Sequence, residues 1–168
     1  MSNGRSTRSS DLPSAAPSGG LGTLQRWLPV VVWAAFISWF STDAFSARST
    51  NSYIDPVLRL LFGDLAPASF RLAHTIVRKS AHLIEYAILG GLTGRAVTTT
   101  GARVSRAMIA RTLVYCAAYA VLDEAHQTFV PSRTGSGIDV MIDIIGATTG
   151  TMLLSWWRAT RTTRVEAA

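Results

Sequence analysis

Trp27 to Thr42 reads W-L-P-V-V-V-W-A-A-F-I-S-W-F-S-T and contains no charged residue. A helix over this stretch is apolar on every face, which is typical of a segment in lipid and not of a helix at a protein surface. The stretch falls a little short of the roughly 20 residues that cross a bilayer core. Because Arg26 and Asp43 can extend their charged groups to the interface and Phe45 lengthens the apolar stretch, we predict a transmembrane helix here.

The same stretch has an alternative interpretation as a cleaved signal peptide. Arg26 precedes the apolar run, and Ala44, Phe45 and Ser46 resemble a small-residue cleavage site. The polar segment before Arg26 is unusually long for a signal peptide, however, and the later apolar runs still need a membrane. We therefore prefer the transmembrane helix and keep the signal peptide as the alternative.

Three more helices are predicted downstream from apolar runs that are bounded by Pro, Gly and Thr. A short amphipathic piece that begins at Asp55 and Pro56 is expected to lie at the membrane interface. The predicted fold class is thus all-α, a polytopic membrane bundle of four transmembrane helices. The three downstream helices are expected over about Ser69 to Leu92, Met108 to Leu122 and Ile138 to Trp157.

The chain divides into one domain and two tails. Residues 1–24 are rich in Ser, Gly and Pro and are predicted to form a disordered cytoplasmic tail, because they cannot bury enough apolar surface to offset the entropy of ordering. Residues 25–158 form the membrane domain, and residues 159–168 form a second cytoplasmic tail.

Composition agrees with a membrane protein. A hydrophobic content of 48% and a mean hydropathy of +0.26 are high for a soluble domain of 168 residues. The 16 basic residues against 10 acidic ones would also suit a nucleic-acid binder. They lie between apolar runs, however, and not on a polar helix with stacking aromatic residues, so we expect no nucleic-acid partner. The single cysteine, Cys116, lies in an apolar run and indicates no disulfide or C-x-x-C motif.

The distribution of charge predicts the orientation of the helices. With four spans, both termini and the connection between the second and third helices share one side of the membrane. Ten of the 16 basic residues fall on that side with two of the 10 acids. The positive-inside rule makes that side cytoplasmic, so both termini are expected in the cytoplasm.

This orientation brings polar segments of three helices to one depth near the outer surface. Lys79, His82 and Tyr86 share a face of the second helix because they are spaced i, i+3 and i+7. A charge inside a span costs about 2.5–3.5 kcal/mol, so these side chains must pair with each other or face a wet cavity. The polar residues that this orientation brings together are Arg78, Lys79, His82, Glu85, Tyr86, Asp123, Glu124, His126, Gln127, Arg133, Asp139 and Asp143.

Several interpretations of this cluster remain open. The charges could only pin the helices together, with Arg133 bridging two carboxylates. His82 with Glu85 or Glu124 could act as a general acid or base, and these three are the catalytic candidates. The spacing lacks a known zinc signature, so we assign no metal ligand and no cofactor. Ser132 is interpreted as a loop residue, and no nucleophile identifies a reaction.

Two segments hold these polar residues. Residues 78–90 read R-K-S-A-H-L-I-E-Y-A-I-L-G, and residues 123–146 read D-E-A-H-Q-T-F-V-P-S-R-T-G-S-G-I-D-V-M-I-D-I-I-G. They resemble the two motifs of the VanZ-like family of bacterial membrane proteins, and the resemblance extends over about residues 28–157. The resemblance implies nine binding residues at motif positions, which are Lys79, His82, Tyr86, Asp123, Glu124, Gln127, Arg133, Asp139 and Asp143. Ser132 stands where the motif often has Gly.

The resemblance implies a multi-pass protein of the bacterial inner membrane, in a family whose founding member is associated with resistance to the glycopeptide teicoplanin. We therefore expect an outward-facing site that binds or processes a cell-envelope amphiphile. Membrane lipids and a lipid-linked or glycopeptide ligand are the expected partners. The rival hypothesis is a non-catalytic structural or accessory subunit whose buried charges only hold the helices together.

Overall fold

The computed structural model of the protein describes residues 19–42, 56–57, 59–61, 63, 66–98, 105–131 and 135–166. Helices dominate these ranges, which contain no strand, so the all-α prediction is confirmed. Arg133, Ser132 and the cleavage site of the alternative interpretation lie outside them. The four long helices are α1 (Gly19–Phe40), α2 (Pro67–Val97), α3 (Arg106–Gln127) and α4 (Gly137–Glu166).

The charge-free stretch forms most of α1, which is fixed to α2 and α3 by polar groups of aromatic side chains. The Trp33 indole donates a hydrogen bond to the Glu85 carbonyl oxygen at 2.9 Å. The Tyr119 hydroxyl donates to the Ala34 carbonyl oxygen at 2.5 Å and lies 2.7 Å from Ser38 Oγ. An indole or phenol that is buried among apolar groups needs such a partner, so these bonds set the rotation of α1.

The helices are longer than the apolar runs that predict them. α1 begins at Gly19, inside the segment that was predicted as a disordered tail. α3 begins where the Ser105 hydroxyl accepts from the Met108 amide, and it continues to Gln127 because the polar side chains of its last turns point into the bundle. α4 continues to Glu166 through most of the predicted C-terminal tail, and there the Arg161 guanidinium lies 4.1 Å from the Trp157 ring.

Glycines bring α2 and α4 into backbone contact. A Cβ atom on Gly90 would overlap the Ala147 carbonyl oxygen. On α4, a Cβ on Gly146 would overlap the Leu83 carbonyl oxygen, and one on Gly150 would overlap that of Ala87. Close packing at small residues is typical of helix pairs in membranes.

The interior of the bundle contains many polar residues, and its surface carries many large apolar ones. Among the described residues, 11 buried residues are polar or charged and nine are hydrophobic. The outer surface carries large exposed apolar side chains, including Phe36, Ile84, Val114 and Leu153. One described helix, Gly137–Arg161, is long and apolar enough to cross a membrane by length and composition. An apolar exterior around a polar interior is the arrangement that lipid favours.

We predict that Gly90→Ala lowers the free energy of unfolding by about 1–3 kcal/mol, because the new methyl group forces α2 away from α4. Gly91→Ala is the matched control, since its Cβ would lie at an ordinary 3.8 Å from the Gly150 carbonyl oxygen. Unfolding of the purified variants in detergent measures the difference. Equal losses at the two positions would show that the α2–α4 contact does not limit stability.

Candidate functional site

The start of α4 holds an ion-pair group that forms the outer edge of the site. The Lys79 ammonium lies 2.7 Å from Asp139 Oδ1, and the Arg78 guanidinium lies 3.0 Å from Asp139 Oδ2. The Asp139 side chain is 6% exposed, whereas those of Lys79 and Arg78 are 38% and 34% exposed. Because Asp139 is buried and both cations are partly exposed, Arg78 and Lys79 lie between the buried cluster and solvent. Solvent screens the charges of both cations.

One turn further along, His82 pairs with Asp143. His82 Nδ1 lies 3.0 Å from Asp143 Oδ1, and both side chains are buried. When Asp143 is ionised it can only accept, so Nδ1 donates this bond and Nε2 is the ring nitrogen left to accept a proton or bind a cation. Lys79 and Asp139 lie about one helical turn before His82 and Asp143. The two pairs therefore connect α2 to α4 on consecutive turns.

The last turns of α3 also contribute polar side chains to the site. Glu124 Oε2 accepts a hydrogen bond of 2.7 Å from the backbone amide of Ser136, just before α4. The loop can come this close because Gly135 has no side chain, and a Cβ there would lie 2.5 Å from the Glu124 carbonyl oxygen. This bond ties the end of α3 to the start of α4 and fixes the Glu124 carboxylate between them.

A neighbouring group links α3 to the end of α1. Asp123 Oδ2 accepts hydrogen bonds of 3.1 Å from Ser41 Oγ and from Gln127 Nε2. Tyr86 of α2 is fully buried, and its ring centroid lies 6.2 Å from that of Tyr119 on α3. All four helices therefore contribute polar side chains at one end of the bundle.

Among the described residues, the cluster has more buried carboxyl groups than Lys and Arg side chains paired with them. In this cluster, Arg78 and Lys79 both pair with Asp139. The buried carboxylates of Asp123, Glu124 and Asp143 are acceptors without such a partner, and an uncompensated buried charge is costly. The buried atoms that find no hydrogen-bond partner there include Tyr86 Oη, Asp123 Oδ1, Glu124 Oε1, Gln127 Oε1 and Asp143 Oδ2.

Three buried side chains of this cluster converge closely enough to hold a metal ion. One nitrogen or oxygen atom each from His82, Glu124 and Asp139 lies within 4.8 Å of the other two. An imidazole with two carboxylates is a donor set suited to divalent cations. The sequence spacing does not indicate this group because each residue comes from a different helix.

An open groove of about 390 Å³ lies beside this cluster along the first turns of α2. Its wall combines cationic, aromatic and hydroxyl groups, which suits a ligand that carries both an anionic and an apolar part. The groove reaches the cluster at Asp139. The lining residues are Phe70, Arg71, His74, Thr75, Arg78, Lys79 and Asp139.

The structure brings eight of the nine predicted binding residues to this end of the bundle, while Arg133 lies outside the described residues. Their role in binding stays a prediction. Of the three catalytic candidates, His82 and Glu124 converge, and Glu85 is not in their group. Two contributors were missed. Ser41 stands at a helix end with nothing in the sequence to mark it, and Ser136 contributes its backbone amide, which no residue type reveals.

Comparison with known proteins agrees with the resemblance of the two motifs. The VanZ/LLP1 family model matches residues 26–158, which contain α2, α3 and the whole polar cluster. No curated protein and no solved structure matches the chain. Because the matched region is more than half of the chain and includes both motif segments, the protein belongs to the VanZ/LLP1 family.

Proposed function

We propose that the protein crosses a bacterial inner membrane with four helices and uses the basic groove beside its outward-facing cluster to bind a lipid-linked envelope amphiphile through an anionic group. The observation that carries the proposal is the position of buried, unpartnered acceptor atoms next to a basic groove at one end of the bundle. A cluster that only held the helices together would need neither feature.

Helix length and surface support the four spans. At 1.5 Å per residue, α1 and α3 are about 33 Å long, and α2 and α4 are longer, against a hydrocarbon core of about 30 Å. Large apolar side chains are exposed on each of them, for example Val31, Ile88, Val121 and Met152. Water disfavours such a surface around a polar interior, and lipid accommodates it.

Charge supports the orientation. The acids of the cluster lie at the end of the bundle where α3 ends and α4 begins. Basic residues lie towards the opposite end, with Arg95 in the last turn of α2, Arg106 and Arg111 at the start of α3, and Arg158 late in α4. By the positive-inside rule, the arginine end faces the cytoplasm and the acidic cluster faces outward.

We predict that a membrane-impermeant maleimide labels Phe129→Cys in intact cells and labels Ala107→Cys only after the cells are permeabilised. Both positions are exposed, on opposite ends of α3, and both variants carry Cys116→Ala to remove the native thiol. Labelling of both cysteines, or of Ala107→Cys alone, in intact cells would contradict the proposed topology.

The groove suggests the chemistry of the ligand. Arg71, Arg78 and Lys79 place three cations along one wall, and Phe70 adds an aromatic ring. Cations of this kind make charge-assisted hydrogen bonds to phosphate oxygens. The exposed apolar face of α2, with Leu72 as a member, is suited to an attached hydrocarbon chain. A phosphate-bearing lipid therefore fits the groove better than a neutral one.

We predict that the purified protein binds a polyprenyl phosphate and not the corresponding polyprenyl alcohol. Arg71→Gln should weaken binding roughly fivefold to tenfold through the loss of a charge-assisted hydrogen bond. Arg95→Gln, which removes a cation from the far end of the same helix, should leave binding unchanged. Native mass spectrometry in detergent measures all three proteins. Equal binding of the alcohol, or equal losses in both variants, contradicts a phosphate site in this groove.

The proposal extends to glycopeptide resistance. A protein that holds a lipid-linked wall precursor at the outer surface would lower the access of a glycopeptide to it. This is the trait associated with the founding member of the VanZ-like family. The connection depends on the groove binding a precursor, so it fails together with the binding of the phosphate-bearing lipid.

A second candidate function is that of a structural or accessory subunit without a ligand. The observation that favours it is the pairing of Lys79 and Arg78 with Asp139 and of His82 with Asp143, because these contacts do join α2 to α4. The two candidates differ at Glu124, whose Oε1 atom is bonded to no other described residue.

We predict that Glu124→Gln leaves the free energy of unfolding unchanged or raises it, because it removes a buried charge and keeps an oxygen to accept from Ser136. Asp139→Asn is the comparison and should lower the free energy of unfolding by about 1–2 kcal/mol. The loss is limited because Arg78 and Lys79 are partly exposed to solvent. Unfolding in detergent measures both. A loss at Glu124 as large as that at Asp139 would favour the structural subunit.

A further inference from the structure

We propose that His82, Glu124 and Asp139 bind one divalent cation of the Zn²⁺ or Mn²⁺ type between α2, α3 and α4. The inference deepens the proposed function, on which it rests for the outward position of the site. The binding of the ion itself depends only on the geometry of the three side chains.

The first argument is the placement of the donor atoms. One donor from each residue lies within 4.8 Å of the others, and the three residues are 6%, 5% and 4% exposed, in the order His82, Glu124 and Asp139. Ligand atoms about 2.0–2.2 Å from one ion lie roughly 3.3–3.6 Å apart in tetrahedral geometry. A movement of the order of 1 Å by these side chains would complete the coordination.

The second argument is the orientation of the imidazole. Asp143 holds His82 through Nδ1 at 3.0 Å, which leaves Nε2 as the ligand atom. A carboxylate on the second ring nitrogen is the usual companion of a metal-bound histidine, because it fixes the tautomer and makes the ligand nitrogen more basic. Asp143 is fully buried, so it acts on the ion through His82 as a positioning residue.

The third argument is the state of Glu124. The amide of Ser136 fixes Oε2 in place, while Oε1 is buried and has no partner in the part of the chain that the structure describes. A carboxylate oxygen only accepts, so it requires a donor or a cation. The imidazole and the second carboxylate of the same group make a metal cation the ligand that suits all three residues together.

The ion pairs of Asp139 are compatible with the metal. Lys79 and Arg78 each contact one oxygen of this carboxylate, and each oxygen has two lone pairs. One lone pair therefore remains available at each oxygen. Three protein ligands leave a coordination position open, as in catalytic zinc sites. That position would lie near the basic groove, where a phosphate oxygen of the proposed ligand could occupy it.

The experiment is calorimetric titration of the full-length protein, purified in detergent and stripped with a chelator, with Zn²⁺ and separately with Mn²⁺ and no lipid. We expect one ion per chain for at least one metal. Glu124→Gln should weaken binding more than tenfold, and Asp143→Asn should weaken it roughly 10- to 100-fold through the orientation of His82. Saturation with the metal should raise the Tm of the wild type and not that of Glu124→Gln.

His126→Asn is the matched control, because this histidine lies on the same turn of α3 as Glu124 but is exposed. Its affinity should equal that of the wild type. The proposal is overturned if the wild type binds neither ion, if Glu124→Gln binds as tightly as the wild type, or if His126→Asn loses as much affinity as Glu124→Gln. Because no lipid is present, a failure here is separate from a failure to bind polyprenyl phosphate.

Discussion

The backbone contact between α2 and α4 is the constraint on which the rest of the structure depends. Gly90, Gly146 and Gly150 occupy positions where any Cβ would overlap a carbonyl oxygen of the facing helix. Because the helices meet at this distance, the two pairs that join Lys79 to Asp139 and His82 to Asp143 close at 2.7 and 3.0 Å. The polar cluster is thus positioned by glycines that have no polar or charged side chain.

The polar interior is held in place from several directions. Ser41 bonds Asp123 from the end of α1, and the Ser136 amide bonds Glu124 from the start of α4. These bonds fix the positions of carboxylates that no fixed cation in the described ranges offsets. Burying a carboxylate without a cation lowers the stability of the fold, and proteins retain such residues where binding or catalysis requires them. This is the reason that we propose a function for this cluster.

Much of the site could be predicted because helical spacing is regular. Lys79, His82 and Tyr86 share a face by their spacing, and positions 139 and 143 do so by theirs. The residues at which the helices begin and end were harder to predict from the sequence. α3 extends five residues beyond the predicted end at Leu122, and one oxygen each of Asp123 and Glu124 in this added turn accepts a hydrogen bond from a neighbouring segment.

The sequence alone determined the helical class, the separation of basic from acidic residues and the identity of most of the cluster. These properties follow from periodicity, hydropathy and charge, which are local or additive along the chain. Only the tertiary structure decided that His82, Glu124 and Asp139 converge and that Glu124 Oε1 has no hydrogen-bond partner among the described residues. Such facts depend on the rotation and separation of three helices, and packing between helices distant in sequence sets both.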